Sequence, residues 1–177
     1  MAIVMSGNVA VPLDKELDAD GIQDLLLCSY SVICVYSDTY IDIVQELAEC
    51  CPMKFLPIRV LEQEQKTAKV DYTMLDKWNT VHVGEMAALF FTSGTNGRSK
   101  GVMLSQGNMM ANINFACKNF FLSGETLAVL PFHHAFGLLT SVFAPLNYER
   151  MVFINSSLKN VKRDMLEAKP KGVGKCS

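Results

Sequence analysis

Leu89-Phe90-Phe91-Thr92-Ser93-Gly94-Thr95-Asn96-Gly97-Arg98-Ser99-Lys100-Gly101 lies between two apolar runs, Met86 to Phe91 leading in and Val102-Met103-Leu104 leading out. The pattern predicts a strand, a polar loop and a second strand. The loop carries what a polyphosphate needs. Glycines let backbone N–H groups approach closely, hydroxyls add donors, and Lys100 supplies one positive charge.

A Gly-rich loop ending in lysine invites comparison with a Walker P-loop, and the spacing rejects it. Counting from Gly94 puts Ser99 where the second glycine belongs, and Gly101 follows Lys100 where Ser or Thr is required. A polar hairpin joining two strands is the plain alternative reading of the same residues.

Upstream, Asn8-Val9-Ala10-Val11-Pro12-Leu13 reads as a buried strand ending in a turn. Asp18-Ala19-Asp20 offers caps to a helix with Ile22, Leu25 and Leu26 on one face. Ser31 to Tyr36 reads as a strand covered on both faces. A second helix from about Asp38 turns Ile41, Val44, Leu47 and Ala48 inward, and Lys54 to Ile58 closes a third strand. Residues 1–58 are therefore expected to form βαβαβ, the grammar of a mainly parallel sheet with crossover helices. Residues 59–85 are more polar and read as a solvated connector, with Met74, Leu75 and Trp78 docking it and Trp78 an anchor rather than an adenine stacker.

Downstream, Ser105 is placed to cap a helix running to about Phe120. Met109, Ile113, Ala116 and Phe120 form its stripe, widened by Met110, Cys117 and Phe121 into a core face. Thr126 to Pro131 reads as a strand leading into Phe132-His133-His134-Ala135-Phe136-Gly137. Adjacent histidines diverge on any regular element, and no Cys, Asp or Glu stands at ligand spacing, so no metal site is expected. Leu138 to Leu146 reads as a buried helix and Met151 to Ile154 as a strand. A helix over 157–168 turns Leu158, Val161, Met165 and Leu166 inward, leaving Lys159, Lys162 and Arg163 as a solvated face. Residues 86–170 thus continue the domain, and 171–177 read as a flexible tail.

The 177 residues are half hydrophobic, enough for a real core, and the net charge of −2 argues against nucleic acid as partner. Six cysteines show no metal-ligand spacing and read mostly as small buried hydrophobes in a reducing compartment. Neither a basic, apolar leader nor a run of about 20 apolar residues is present, which predicts a cytoplasmic chain without a transmembrane segment.

Three segments together resemble the adenylate-forming (AMP-binding) superfamily, most closely its acyl-CoA synthetases of the long-chain fatty acid type. The phosphate loop of that family runs Thr/Ser-Ser-Gly-Ser/Thr-Thr-Gly-x-Pro-Lys-Gly-Val, then Leu-Ser/Thr-His. Thr92 to Val102 and Leu104-Ser105-Gln106 match it, with Asn96 for a threonine, Ser99 for the proline and Gln106 for the histidine. Gly7 to Asp14 is similar to the family's Gly-x-Val-x-Val-Pro-Leu-Asp segment, and Leu130 to Gly137 to its Leu-Pro-x-x-His-x-Phe/Tyr-Gly segment, with His134 on the motif histidine.

The resemblance implies an α/β fold, an incomplete N-terminal domain of an adenylate-forming enzyme with βαβ units around a mainly parallel sheet. It implies that Thr92, Ser93, Gly94, Thr95, Asn96, Gly97, Lys100 and Gly101 hold ATP, and that His134 serves on the substrate side, guiding a carboxylate. ATP, Mg²⁺ and coenzyme A are the implied substrates and cofactors, and a fatty acid the implied acid. Relatives continue into segments that grip adenine, ribose and magnesium and into a C-terminal domain bearing a lysine. The chain reads as an internal piece of such an enzyme, its polar tail suiting a truncated or frame-shifted reading frame. On its own it is expected to be inactive and to self-associate through exposed sheet edges. A non-catalytic remnant that binds nucleotide weakly, or an interaction module, is the alternative.

Overall fold

A computed structural model describes residues 2–69, 73, 82–92, 99–119 and 125–168. The chain divides into two compact units, residues 1–81 with 91–101 and residues 82–90 with 102–177. Among the described residues there are three two-stranded sheets, two of them parallel. The α/β class and parallel pairing expected from the sequence are therefore present.

In the first unit a short helix α1 (Ala2–Met5) precedes α2 (Ala19–Cys28). Asp18 starts α2 as its sequence position predicts, its carboxylate accepting the Gly21 N–H at 2.9 Å. Strand β1 (Ile33–Tyr36), helix α3 (Ile41–Cys50) and strand β2 (Lys54–Pro57) make one βαβ unit, with Ile33 opposite Lys54 and Tyr36 opposite Pro57. Leu26, Leu47 and Cys51 form the centre of the core, packed by Leu13, Ile22, Cys34, Ile43, Met53 and Phe55. Burying Leu26 and Leu47, at 3% and 2% exposure, contributes about 1.5–3 kcal/mol each.

Several expectations fail here for physical reasons. Asn8 to Leu13 forms only an isolated bridge at Ala10, because Pro12 lacks a ladder donor; the first half is βαβ, not βαβαβ. Strand β1 is not covered on both faces: its burial alternates and Ile33 is half exposed. Helix α3 turns Ile43, Val44 and Leu47 inward while Ile41 and Ala48 face water, so the stripe is set by i and i+3 around Val44. The connector opens with a ten-residue helix, α4 (Ile58–Thr67). Its Glu, Gln and Lys residues are good helix formers and none is buried. Met74, Leu75 and Trp78 lie outside the described residues.

The second unit holds most of β3 (Met86–Thr92) and β4 (Lys100–Ser105), then α5 (Gln106–Asn119). The core residues of α5 are Met109, Ile113 and Ala116, as expected. Met110 is 47% exposed, so the stripe is narrower than predicted; Phe120 and Phe121 lie outside the described residues. Strand β5 (Thr126–Ala128) pairs in parallel with β6 (Val152–Ile154). Between them run α6 (Ala135–Leu138), a π turn (Leu139–Phe143) and α7 (Ala144–Asn147). Helix α8 (Val161–Ala168) closes the unit against β5.

Leu158, Met165 and Leu166, expected inside, are exposed; Ala168 is the buried residue of α8. Asp164 takes the inward place instead. Its carboxylate accepts the Asn155 side-chain N–H, the Ser156 N–H and the Ser156 hydroxyl, all at 2.8 Å. A polar staple rather than an apolar stripe fastens α8 to the end of β6. Among the described cysteines only Cys51 is buried, contrary to the sequence reading; Cys28 and Cys50 are exposed. Burial pushes the Cys34 and Cys51 thiols up. The 171–177 tail lies outside the described residues.

Candidate active site

Burial along β3 ends where the predicted loop begins. Ala87, Ala88, Leu89 and Phe90 are buried, Phe91 is half-buried and Thr92 is exposed. Strand β4 starts with Lys100 and Gly101 in water. Seven residues separate the two paired strands, too few for a parallel crossover, so they form an antiparallel ribbon. The Thr92 hydroxyl donates to the Lys100 carbonyl at 3.4 Å across the mouth of the loop. Lys100 is exposed and pairs with none of the described carboxylates. Thr92, Lys100 and Gly101 thus stand together; Ser93, Gly94, Thr95, Asn96 and Gly97 lie outside the described residues.

The N-terminus of α5 is closed to an anion. Ser105 caps it as expected: its hydroxyl accepts the Asn108 N–H at 3.2 Å, while the Asn108 side-chain oxygen accepts the Ser105 N–H at 3.1 Å. The Gln106 N–H donates to the Glu85 carbonyl and the Gly107 N–H to the Val83 carbonyl. A Cβ at 107 would lie 2.7 Å from a methyl of the exposed Val83, which would have to turn away, and 3.1 Å from the Val83 carbonyl. With these donors taken, a phosphate held by this chain depends on the loop and on the Lys100 charge.

His134 is exposed at the start of α6, and the His133 and His134 rings meet at 4.3 Å, tilted by 54°. The His134 N–H donates to the Pro131 carbonyl at 3.3 Å, and its own carbonyl accepts the Leu138 N–H. Buried Gly137 permits this fold-back: a Cβ would collide with the Pro131 carbonyl and approach Leu130 Cβ at 3.1 Å. Phe136 and Leu130 leave apolar surface at 65% and 44% exposure. Among the described residues no group of three His, Cys, Asp or Glu side chains could hold a metal ion.

Sequence reading missed the π turn. Pro145, inside the apolar run, was its available signal, since a mid-helix proline disrupts the α ladder. It also missed Thr140, whose hydroxyl donates to the Phe136 carbonyl at 2.6 Å.

Against known families, residues 1–168 match the AMP-binding enzyme family. The chain belongs to the AMP-binding enzyme family. Among curated relatives, it is 29% identical to the mitochondrial malonate–CoA ligase of Xenopus laevis over 155 residues, 82% of this chain and 25% of the relative. It is 40% identical to the medium-chain fatty-acid–CoA ligase of Escherichia coli K12 over 77 residues, 42% of this chain and 14% of the relative. The N-terminal domain of FACL13 from Mycobacterium tuberculosis superposes with a TM-score of 0.75 at 17% identity, over 91% of this chain and 41% of that one. ATP-bound MatB from Rhodopseudomonas palustris gives 0.68 at 22% identity, over 94% and 34%. These superpositions show the fold of AMP-binding enzymes. The chain spans a quarter or less of the length of these two curated relatives. No helix among the described residues is long and apolar enough to cross a membrane.

Proposed function

We propose that this AMP-binding chain carries the pyrophosphate-gripping and acid-side part of an AMP-forming acid–thiol ligase acting in the cytoplasm on a fatty acid. The observation that carries the reading is an exposed Lys100, without a described ion-pair partner, at the foot of a loop in a chain matched by the AMP-binding family over residues 1–168. In this reading Thr92, Ser93, Thr95 and Lys100 hold the β and γ phosphates of ATP. Gly94, Gly97 and Gly101, with Asn96, let the backbone close around them. A carboxylate oxygen forms a bond to the α-phosphorus as the bond to the bridging oxygen breaks and pyrophosphate leaves. The sulfur of coenzyme A then bonds to the acyl carbon, AMP leaves with the ester oxygen, and the thiol proton passes to solvent. Positioning and charge stabilisation dominate such a step. Mg²⁺ bound with the nucleotide would offset the negative charge on the departing pyrophosphate.

His134 sits on the acid side, its imidazole within a segment that carries no charged side chain from Leu130 to Leu138. That composition favours an apolar monocarboxylate over a dicarboxylate, which would need a second cation. The domain is read as residues 1–58 and 86–170 joined by 59–85.

The short coverage of relatives supports a second reading, in which the isolated chain is inactive and associates through apolar residues such as Ile33, Ile154 and Leu158 at its two-stranded sheets and their flanks. Carboxylate-dependent exchange of pyrophosphate into ATP separates the two. Exchange with octanoate but not malonate, abolished in Lys100→Ala, supports the ligase reading; no exchange with any acid and a concentration-dependent oligomer support the second.

A further inference from the structure

We propose that Pro145 and Thr140 are positioning residues that set how His134 and Phe136 are presented; the inference rests on the reading of His134 as an acid-side residue. In a regular α-helix the nitrogen at 145 would face the Ser141 carbonyl. Proline has no hydrogen to give, and its ring collides with that carbonyl. The ladder widens just before it: the Ala144 N–H donates to the Leu139 carbonyl, five residues back. Ala144 and Pro145 are buried, so the helix has no room to relieve the clash by kinking outward.

A π turn takes in one residue more than an α turn. The segment before it is therefore rotated by about 100°, the angle of one helical residue, relative to a regular helix. That segment is α6, with His134 as its N-cap and Phe136 65% exposed in its first turn.

Thr140 secures the rotated segment. Its hydroxyl donates to the Phe136 carbonyl at 2.6 Å, and the Leu139 N–H is shared between the Ala135 and Phe136 carbonyls. The Gly137 contact with Pro131 fixes the other side. His134 is thus held by a proline-forced change of register and a side-chain hydrogen bond.

The test uses isotope-labelled full chain, with Pro145→Ala, Thr140→Val and Thr140→Ser. Without ligand, Pro145→Ala is expected to move the carbon shifts of residues 139–143 to α-helical values. The His134 ring signals shift and the His133–His134 ring cross-peak weakens. Thr140→Val moves the same His134 signals by less, and Thr140→Ser restores them. On titration with octanoate, the dissociation constant rises roughly three- to ten-fold in the first two variants, the loss expected for one neutral hydrogen bond or its equivalent. Unchanged His134 signals in Thr140→Val, or a π turn that persists in Pro145→Ala, would overturn the inference. If Pro145→Ala does not fold, the Thr140 pair decides. If octanoate leaves His134 unmoved in the wild type, the acid-side reading fails, while the ligand-free shifts still decide the roles of Pro145 and Thr140.

Discussion

Each parallel strand pair is joined by a helical crossover, and the two crossovers are used differently. From β1 to β2 the chain crosses on α3, a regular helix whose Val44 and Leu47 are buried in the core of the first unit. From β5 to β6 it crosses on a helix broken by a π turn, which buries Leu139, Ala144 and Pro145 yet leaves His134 and Phe136 in water. The regular crossover is devoted to packing. The irregular one gives up ladder regularity and presents polar and aromatic groups, the pattern expected where a fold carries chemistry.

Truncating Leu47 to Ala should have the largest effect, about 2–5 kcal/mol of unfolding free energy, because a side chain this buried leaves a cavity as well as lost contact. Urea denaturation measures it; a loss similar to that of an exposed-site control would mean that α3 is not the structural crossover. In the irregular crossover, Gly137→Ala should cost about 1–3 kcal/mol, since the new methyl group meets the Pro131 backbone rather than a flexible side chain. The same variant should displace the His134 ring signals, whereas Leu47→Ala should not.

Smaller gains are expected where helices end on residues in the left-handed region. Tyr30 (φ 52°) follows α2 and Glu149 (φ 56°) follows α7. Replacing either with glycine should stabilise by about 0.5–1 kcal/mol, visible as a higher thermal midpoint. A destabilised Tyr30→Gly would show that the exposed ring makes contacts worth more than the backbone strain.

The smallest effect concerns Asp164 beyond the second crossover. Hydrogen bonds from the Ser156 backbone and hydroxyl, then from Arg163, hold its carboxyl below the usual carboxylate range. A depressed value in the folded state contributes stability above the unfolded value of about 3.9. That contribution is lost as pH falls through the folded value. Asp164→Asn should therefore flatten the acid end of the stability curve below about pH 4, as followed by thermal midpoints. An unchanged acid limb would mean that the Asp164 hydrogen bonds do not contribute to stability.

What could be read in advance follows from how local each signal is. The Asp18 and Ser105 caps and the strands β1, β2, β3, β5 and β6 rest on short-range chemistry and were legible, and βαβ order made parallel pairing the expected arrangement. The cover on β1 was not, because an apolar run specifies a strand without specifying what packs against it. Leu158 and Leu166 misled for a related reason: helical spacing proposed an apolar face, but Asp164 found three donors in the preceding turn and drew its own side of the helix inward. At the proposed site, Lys100 stood out as the one positive charge ending a Gly-rich loop, whereas His134 was singled out only by the resemblance of its segment to a family motif. The closed N-terminus of α5 could not, since it depends on carbonyls of Val83 and Glu85 more than twenty residues upstream.

We propose that Lys100 and the loop it ends form a phosphate grip that works without the help of a helix N-terminus. Titrating the purified chain with ATP, wild type against Lys100→Ala and at two salt concentrations, isolates the contribution of that lysine. The expected result is saturable binding that weakens at least about tenfold in the variant and that loses much of its salt dependence with the lysine. ATP affinity indifferent to Lys100→Ala, or no saturable binding by the wild-type chain, would contradict it.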